Sequence, residues 1–144
     1  MTEADKSGDV KTLDRKLAEN LYLAILDEDT SMWGFPTTDV VDDETLLEAT
    51  TRIATETAGR RVECFSLSNS PMAVDLDVYG DEKRQQEGVY GSKTFFMKLI
   101  HDNGDIQKIK HAKDYAWLDR EEMADKAREQ EGVNAGKFYH YLLY

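Results

Sequence analysis

The stretch 33-WGFPTTDVVDDETLLEATTRIATETAGR-60 decides the fold. It opens on an aromatic, Gly and Pro cluster that suits a structured loop, then changes to a helical pattern. Residues 43 to 58 form the clearest helix of the chain, with Leu46, Leu47, Thr50, Ile53, Ala54 and Thr57 as its inner stripe. Asp42 or Asp43 is available as N-cap, acidic residues fill the first turn, and Gly59 stands just past the end as a stop. Thr forms helices weakly because its branched side chain loses rotamer freedom, so packing has to hold a helix this rich in it.

Upstream, the first ten or so residues are polar and expected to be mobile. Leu13 and Leu17 suit a short helical approach, and Leu21, Leu23 and Ile25 alternate with Tyr22 and Ala24 as a strand does. Downstream, Arg61 to Leu67 and Met72 to Tyr79 read as two strands joined by an SNSP turn. The polar, Gly-bounded stretch 80 to 91 reads as a projecting loop, its mixed-sign run 81-DEKRQQE-87 as a solvated surface. Lys93 to Ile100, closed by HDNGD with Ile106 to Lys110 pairing back, gives the best hairpin signal. Ala116 to Leu118 is a short strand. Asp119 then caps a helix through REEMADKAREQ, with Glu122 completing a capping-box pattern. Gly136 to Tyr144 reads as a terminal helix packed on the body. These elements predict an α+β fold with a mixed, largely antiparallel sheet, organised as a flexible segment 1–11 and one domain over 12–144.

Composition narrows the function classes. The chain has 144 residues, 40% of them apolar and 33% charged, enough for one domain with a real core. Its formal charge of −11 argues against an extended contact with a phosphate backbone, which draws on Lys and Arg to displace counterions. Any RNA contact is expected to be local. Cys64 is the only cysteine, so no internal disulfide and no Cys-rich zinc site can be built, and its place in an apolar alternation with Val62 and Phe65 predicts a buried thiol. His101, His111 and His140 are scattered, without the spacing of a zinc site. No apolar run approaches the ~20 residues that span a bilayer. The acidic start MTEADKSGDV is unlike a transit peptide, so the protein is either not imported or processed at its start.

The strand, the WGFP loop, the acid-led helix ending in Gly and the late WLDREE helix start together resemble the Nudix family. That resemblance implies an α/β/α sandwich and a loop-helix-loop box of the form G-x5-E-x7-R-E-U-x-E-E-x-G-U, with U apolar. With the last Gly of the box on Gly59, the positions of Glu44, Arg52, Glu56 and Gly59 match. Thr38 replaces the first Gly, Ile53 and Thr57 replace two Glu residues, and Arg60 replaces the last apolar residue. The entry Trp33, Gly34, Phe35, Pro36 resembles the family's W-x-F-P, but Thr37 and Thr38 stand where it has a Gly pair.

The chemical consequence follows from the ligands. Positions 53, 56 and 57 are i, i+3 and i+4 and lie on neighbouring parts of one helix face. Mg²⁺ demands oxygen ligands in near-octahedral geometry. Ile53 supplies none and Thr57 only a neutral hydroxyl, so Glu56 alone would hold the metal weakly. The expectation is no metal, no cofactor and no catalytic residue, with Arg52 and Glu56 as a helix-stabilising i, i+4 pair and Glu44 serving the first turn through the helix dipole.

The flanks KTLDRKLAENLYLAIL, GSKTFFMKLI and DYAWLDREEM extend the resemblance over about residues 11 to 144, to the Nudix-like proteins of the mitochondrial large ribosomal subunit. This implies a non-enzymatic component of the mitochondrial ribosome near the central protuberance, contacting mainly other proteins and rRNA only locally, with no membrane and no small-molecule substrate. Phe138, Tyr139, Tyr141 and Tyr144 are candidate interface anchors, or alternatively pack on the domain itself. Two alternatives come from other classes. One is a diverged Mg²⁺-dependent Nudix hydrolase using acids outside the helix, such as Asp75 or Asp77. The other is a module that senses a nucleotide without cleaving it.

Overall fold

The structure, a computed structural model, describes residues 1–106 and 108–143. Its centre is an antiparallel sheet in which β1 (Tyr22–Asp27) lies between β2 (Trp33–Gly34) and β7 (Ala112–Leu118). The β1/β7 register sets Ala24 opposite Ala116 and Tyr22 opposite Leu118. Both alanines of the first pair are buried, so helices approach the sheet closely there. α4 (Arg120–Glu131) and α5 (Val133–Leu142) form that cover, burying Met123, Ala124, Ala127 and Leu142. Phe35, Phe96, Phe138 and Tyr139 surround this core.

The start of α4 is tied by several charged side chains at once. Asp119 accepts from the Glu122 N–H at 2.8 Å while Glu122 accepts from the Asp119 N–H at 3.0 Å, the expected capping box. Arg15, 6% exposed, forks onto both Glu122 oxygens at 2.9 Å and donates to the Trp117 carbonyl at 2.8 Å. Lys16 reaches Asp119 at 2.6 Å. The segment that carries these two cations forms turns rather than the expected helical approach, and Leu17 points into solvent at 72% exposure. Charge pairing to α4, rather than burial of Leu13 and Leu17, fixes its path. Ahead of it, α1 (Glu3–Ser7) forms within the segment expected to be mobile, opened by a Thr2/Asp5 capping box.

α2 (Leu46–Ala58) runs close to its expected bounds. Its N-cap is Thr45, whose hydroxyl accepts from the Glu48 N–H at 3.1 Å, and not Asp42 or Asp43. Asp43 instead takes the left-handed conformation at φ 64°, in the turn that precedes the cap.

The remaining strands make two separate antiparallel pairs among the described residues. β3 (Glu63–Phe65) pairs with β6 (Ile100–Asn103), and β4 (Ala73–Val78) with β5 (Gly91–Phe96). The expected hairpin of Lys93 to Ile100 with Ile106 to Lys110 does not form: β5 and β6, which take up its first arm and turn, pair with the earlier β4 and β3, and the described residues of Ile106 to Lys110 form no strand, Gln107 lying outside them. The stretch expected as a polar loop contains α3 (Asp81–Glu87) between Gly80 and Gly88. Lys83 and Arg84 hold this helix against the rings of Tyr79 and Tyr90, at 4.1 and 5.1 Å from their centroids, a cation–π attachment to the strand ends. Cys64, expected to be buried, is exposed because β3 lies in a two-stranded sheet; partial desolvation still raises its thiol pKa.

Candidate functional site

The stretch that decides the fold also builds the candidate site, and Arg52 is its organising side chain. Its Nε donates to Glu44 Oε2 at 2.9 Å and its Nη2 to Glu44 Oε1 at 3.0 Å, a two-bond fork. The remaining guanidinium hydrogens reach the Thr38 hydroxyl at 3.3 Å and the Asp39 carbonyl at 2.9 Å. Glu44 in turn accepts from the Val41 N–H at 3.2 Å. One arginine on the second turn of α2 thus fastens the whole loop from Thr38 to Glu44 onto the helix. The Arg52 hydrogen bonds, followed by the Val41 amide, hold the Glu44 carboxyl below its ordinary pKa despite partial desolvation, and Glu44 raises that of Arg52.

Arg52 and Glu56 do meet at i, i+4, but at 3.8 Å, and Glu56 remains about half exposed. The i, i+4 pair is therefore the weaker of the two contacts of Arg52. Spacing along a helix could not show the stronger one, because Glu44 lies ahead of the helix and reaches back from the loop. Gly59 ends α2 with φ 93°, a conformation that disfavours any side chain, and its N–H returns to the Thr55 carbonyl at 2.9 Å.

Ile53 and Thr57 turn to the other side. Both line an open cleft of about 1500 Å³ between α2 and the strands β3, β5 and β6. Thr57 is 1% exposed, and its hydroxyl has no hydrogen-bond partner among the described residues. Its carbonyl accepts from the Lys110 N–H at 3.1 Å. The helix face expected to hold positions 53, 56 and 57 together is thus divided, with Glu56 outside and Ile53 and Thr57 inside. Asp75 and Asp77 lie on β4, opposite Thr94 and Ser92 of β5. Among the described residues no three His, Cys, Asp or Glu side chains come together as a metal site. His101 sits edge-on to Trp117, His111 lies 3.9 Å from Glu28, and His140 lies 3.0 Å from Glu121.

The four aromatic candidates of the C-terminus separate in the same way. Phe138 packs on Phe96 and Tyr139, and Tyr139 on Phe35, all within 5.6 Å between ring centroids. Burial raises the Tyr139 pKa, with Glu131 and Asp75 adding to it. Tyr141 is 84% exposed, while Tyr144 lies outside the described residues. No described helix is long and apolar enough to cross a membrane.

This architecture is that of the Nudix fold. The dihydroneopterin triphosphate pyrophosphohydrolase of E. coli, a Nudix hydrolase, superposes with a TM-score of 0.54 at 15% identity, over 84% of this chain and 86% of the enzyme. At that identity the likeness concerns the fold alone.

The sequence relatives are more specific, and they are proteins named large ribosomal subunit protein mL46. The one from Neurospora crassa is 34% identical over 142 residues, 90% of this chain and 38% of its own length. Those of Mus musculus and Bos taurus are 30% and 29% identical over 86% and 87% of this chain, and 44% and 46% of their own lengths. These proteins are homologues of the chain, which spans less than half of their length. No protein-family model matches it.

Proposed function

We propose that this chain is a non-catalytic structural component of the mitochondrial large ribosomal subunit, acting in the matrix near the central protuberance and making mainly protein–protein contacts. The observation that carries this is the 34% identity to an mL46 protein along 90% of the chain. A formal charge of −11 favours protein neighbours and leaves only local contact with rRNA. Tyr141, presented to solvent, is an available aromatic anchor for such a neighbour.

The helix that carries the Nudix outline supports a structural role. Glu44, Arg52 and Gly59 shape and end the loop-helix unit, while Ile53 and Thr57 face the cleft with no carboxylate to offer a metal. Glu56 is left alone on the outer face. The degenerate box thus retains the residues that build the turn and lacks those that would do chemistry. The diverged hydrolase has weaker support, since Glu56 is on α2 and Asp75 and Asp77 on β4, and no three acidic, His or Cys side chains gather as a metal site among the described residues.

The test is sedimentation of the epitope-tagged, full-length protein from mitochondria through a sucrose gradient. It is expected to travel with the large subunit, and to remain there when Glu56 is changed to Gln. Recovery only at the top of the gradient contradicts the proposal.

A further inference from the structure

β4 is an edge strand: among the described residues β5 is its one hydrogen-bonded partner strand. Tyr79 donates across to the directly opposite Tyr90 carbonyl at 2.9 Å. By antiparallel alternation, the main-chain N–H and C=O groups of Val74, Leu76 and Val78 therefore point to the open edge. Their side chains share one face and are 48%, 59% and 60% exposed. Asp75 and Asp77, both exposed, occupy the opposite face. A strand with apolar residues on one face and acids on the other, open along its length, matches the template of strand addition.

Charge decides which strand fits. A second copy laid antiparallel and centred on Leu76 would set Asp75 opposite Asp77 of that copy twice over, and like charges directly opposite destabilise a pair. A strand with Lys or Arg opposite those two positions and apolar residues between them satisfies both faces and the edge at once. We propose that the free edge of β4 docks an extended, basic segment of a neighbouring protein by strand addition, with apolar residues over Val74, Leu76 and Val78 and cations over Asp75 and Asp77. This rests on the ribosomal reading only in taking the neighbour to be a protein.

The test uses the 144-residue chain and a ten-residue peptide alternating valine with lysine, with a glutamate-for-lysine peptide as control. Amide hydrogen exchange is followed residue by residue. The lysine peptide is expected to slow exchange at Val74, Leu76 and Val78 at least tenfold and to leave Asp75 and Asp77, already bonded to β5, unchanged. The glutamate peptide is expected to do neither. Asp75→Lys together with Asp77→Lys reverses the preference, and Asp75→Asn with Asp77→Asn, which keeps the strand's shape, removes it. Equal protection by both peptides, or none by either, overturns the proposal. So does protection that grows with protein concentration alone, which would make a second copy the occupant. Failure of the ribosomal reading would appear instead in the gradient, and leave the peptide result as it stands.

Discussion

α2 and α4 are helices of 13 and 12 residues, each fastened at its start by an arginine forked onto a glutamate, and the two clamps do different work. At α4 the clamp is internal. The Arg15 side chain is 8% exposed, its carboxylate partner belongs to the capping box, and the helix behind it buries Met123, Ala124 and Ala127. At α2 the Arg52 side chain is 30% exposed, its partner Glu44 lies in a loop, and the inner helix face opens on a cleft. The same pair of side chains anchors the core in one place and shapes a surface loop in the other. In the proposed box alignment, Glu44 and Arg52 belong to the second kind.

The difference can be broken from either side. Arg15→Ala removes a buried cation from Glu122 and from the Trp117 carbonyl, and is expected to cost about 3 kcal/mol in urea unfolding, the lower part of the range for a broken buried pair because Glu122 keeps some solvent. Arg52→Ala leaves Glu44, whose side chain is only 12% exposed, without its fork, and is expected to lower the unfolding midpoint less than Arg15→Ala does while speeding amide exchange in the loop and the first turn of α2. Equal losses from the two substitutions would erase the distinction.

Thr57→Glu puts a carboxylate where the proposed box alignment asks for one. The site is buried, so the substitution is expected to destabilise by about 2 kcal/mol without conferring metal binding, as followed by thermal unfolding with and without Mg²⁺. Stabilisation by Mg²⁺ would show that the cleft still admits a metal.

Acid should act on α4 first. Burial pushes the carboxyls of Asp119 and Glu122 up, but Lys16, Arg15 and the capping amides outweigh it and leave both below their ordinary values of 3.8 and 4.5. Carboxylates lowered by folding stabilise above their unfolded pKa, and that contribution is lost as pH falls through the folded value. Asp5, held down to about 2 by the Thr2 and Lys16 amides and the Thr2 hydroxyl, extends the same trend to lower pH. Unfolding curves are therefore expected to shift to lower denaturant as the pH drops below about 4.5, with the α4 amides losing protection ahead of the β1/β7 ladder. A flat profile from pH 6 to 3 would contradict this.

Local signals were the legible ones. The Asp119/Glu122 box and the Gly59 stop are written within a few residues of where they act, and the structure has both. The N-cap of α2 was expected at Asp42 or Asp43, but Thr45 is a capping type as well, and the hydrogen bond from the Glu48 N–H to its hydroxyl settles the choice. Strand partners were not legible. The SNSP turn joins β3 to β4, yet each pairs with a strand that comes later in the chain, a non-local choice that local alternation does not encode. The same limit produced the error at Cys64, where alternation describes a face but not whether anything covers it. The Glu44–Arg52 fork lay hidden in the box spacing, since it joins a loop to a helix. Arg15 and Lys16 were the least visible, an adjacent basic pair in an acidic chain whose partners come more than 100 positions later.

We propose that this Nudix fold keeps its turn-building residues without the chemistry. The most direct measurement is Mg²⁺-dependent hydrolysis of a panel of nucleoside diphosphate derivatives by the purified chain, beside its Glu56→Gln variant. The expected result is no Mg²⁺-dependent release of product by either protein; robust turnover by the chain, lost on Glu56→Gln, would contradict the account.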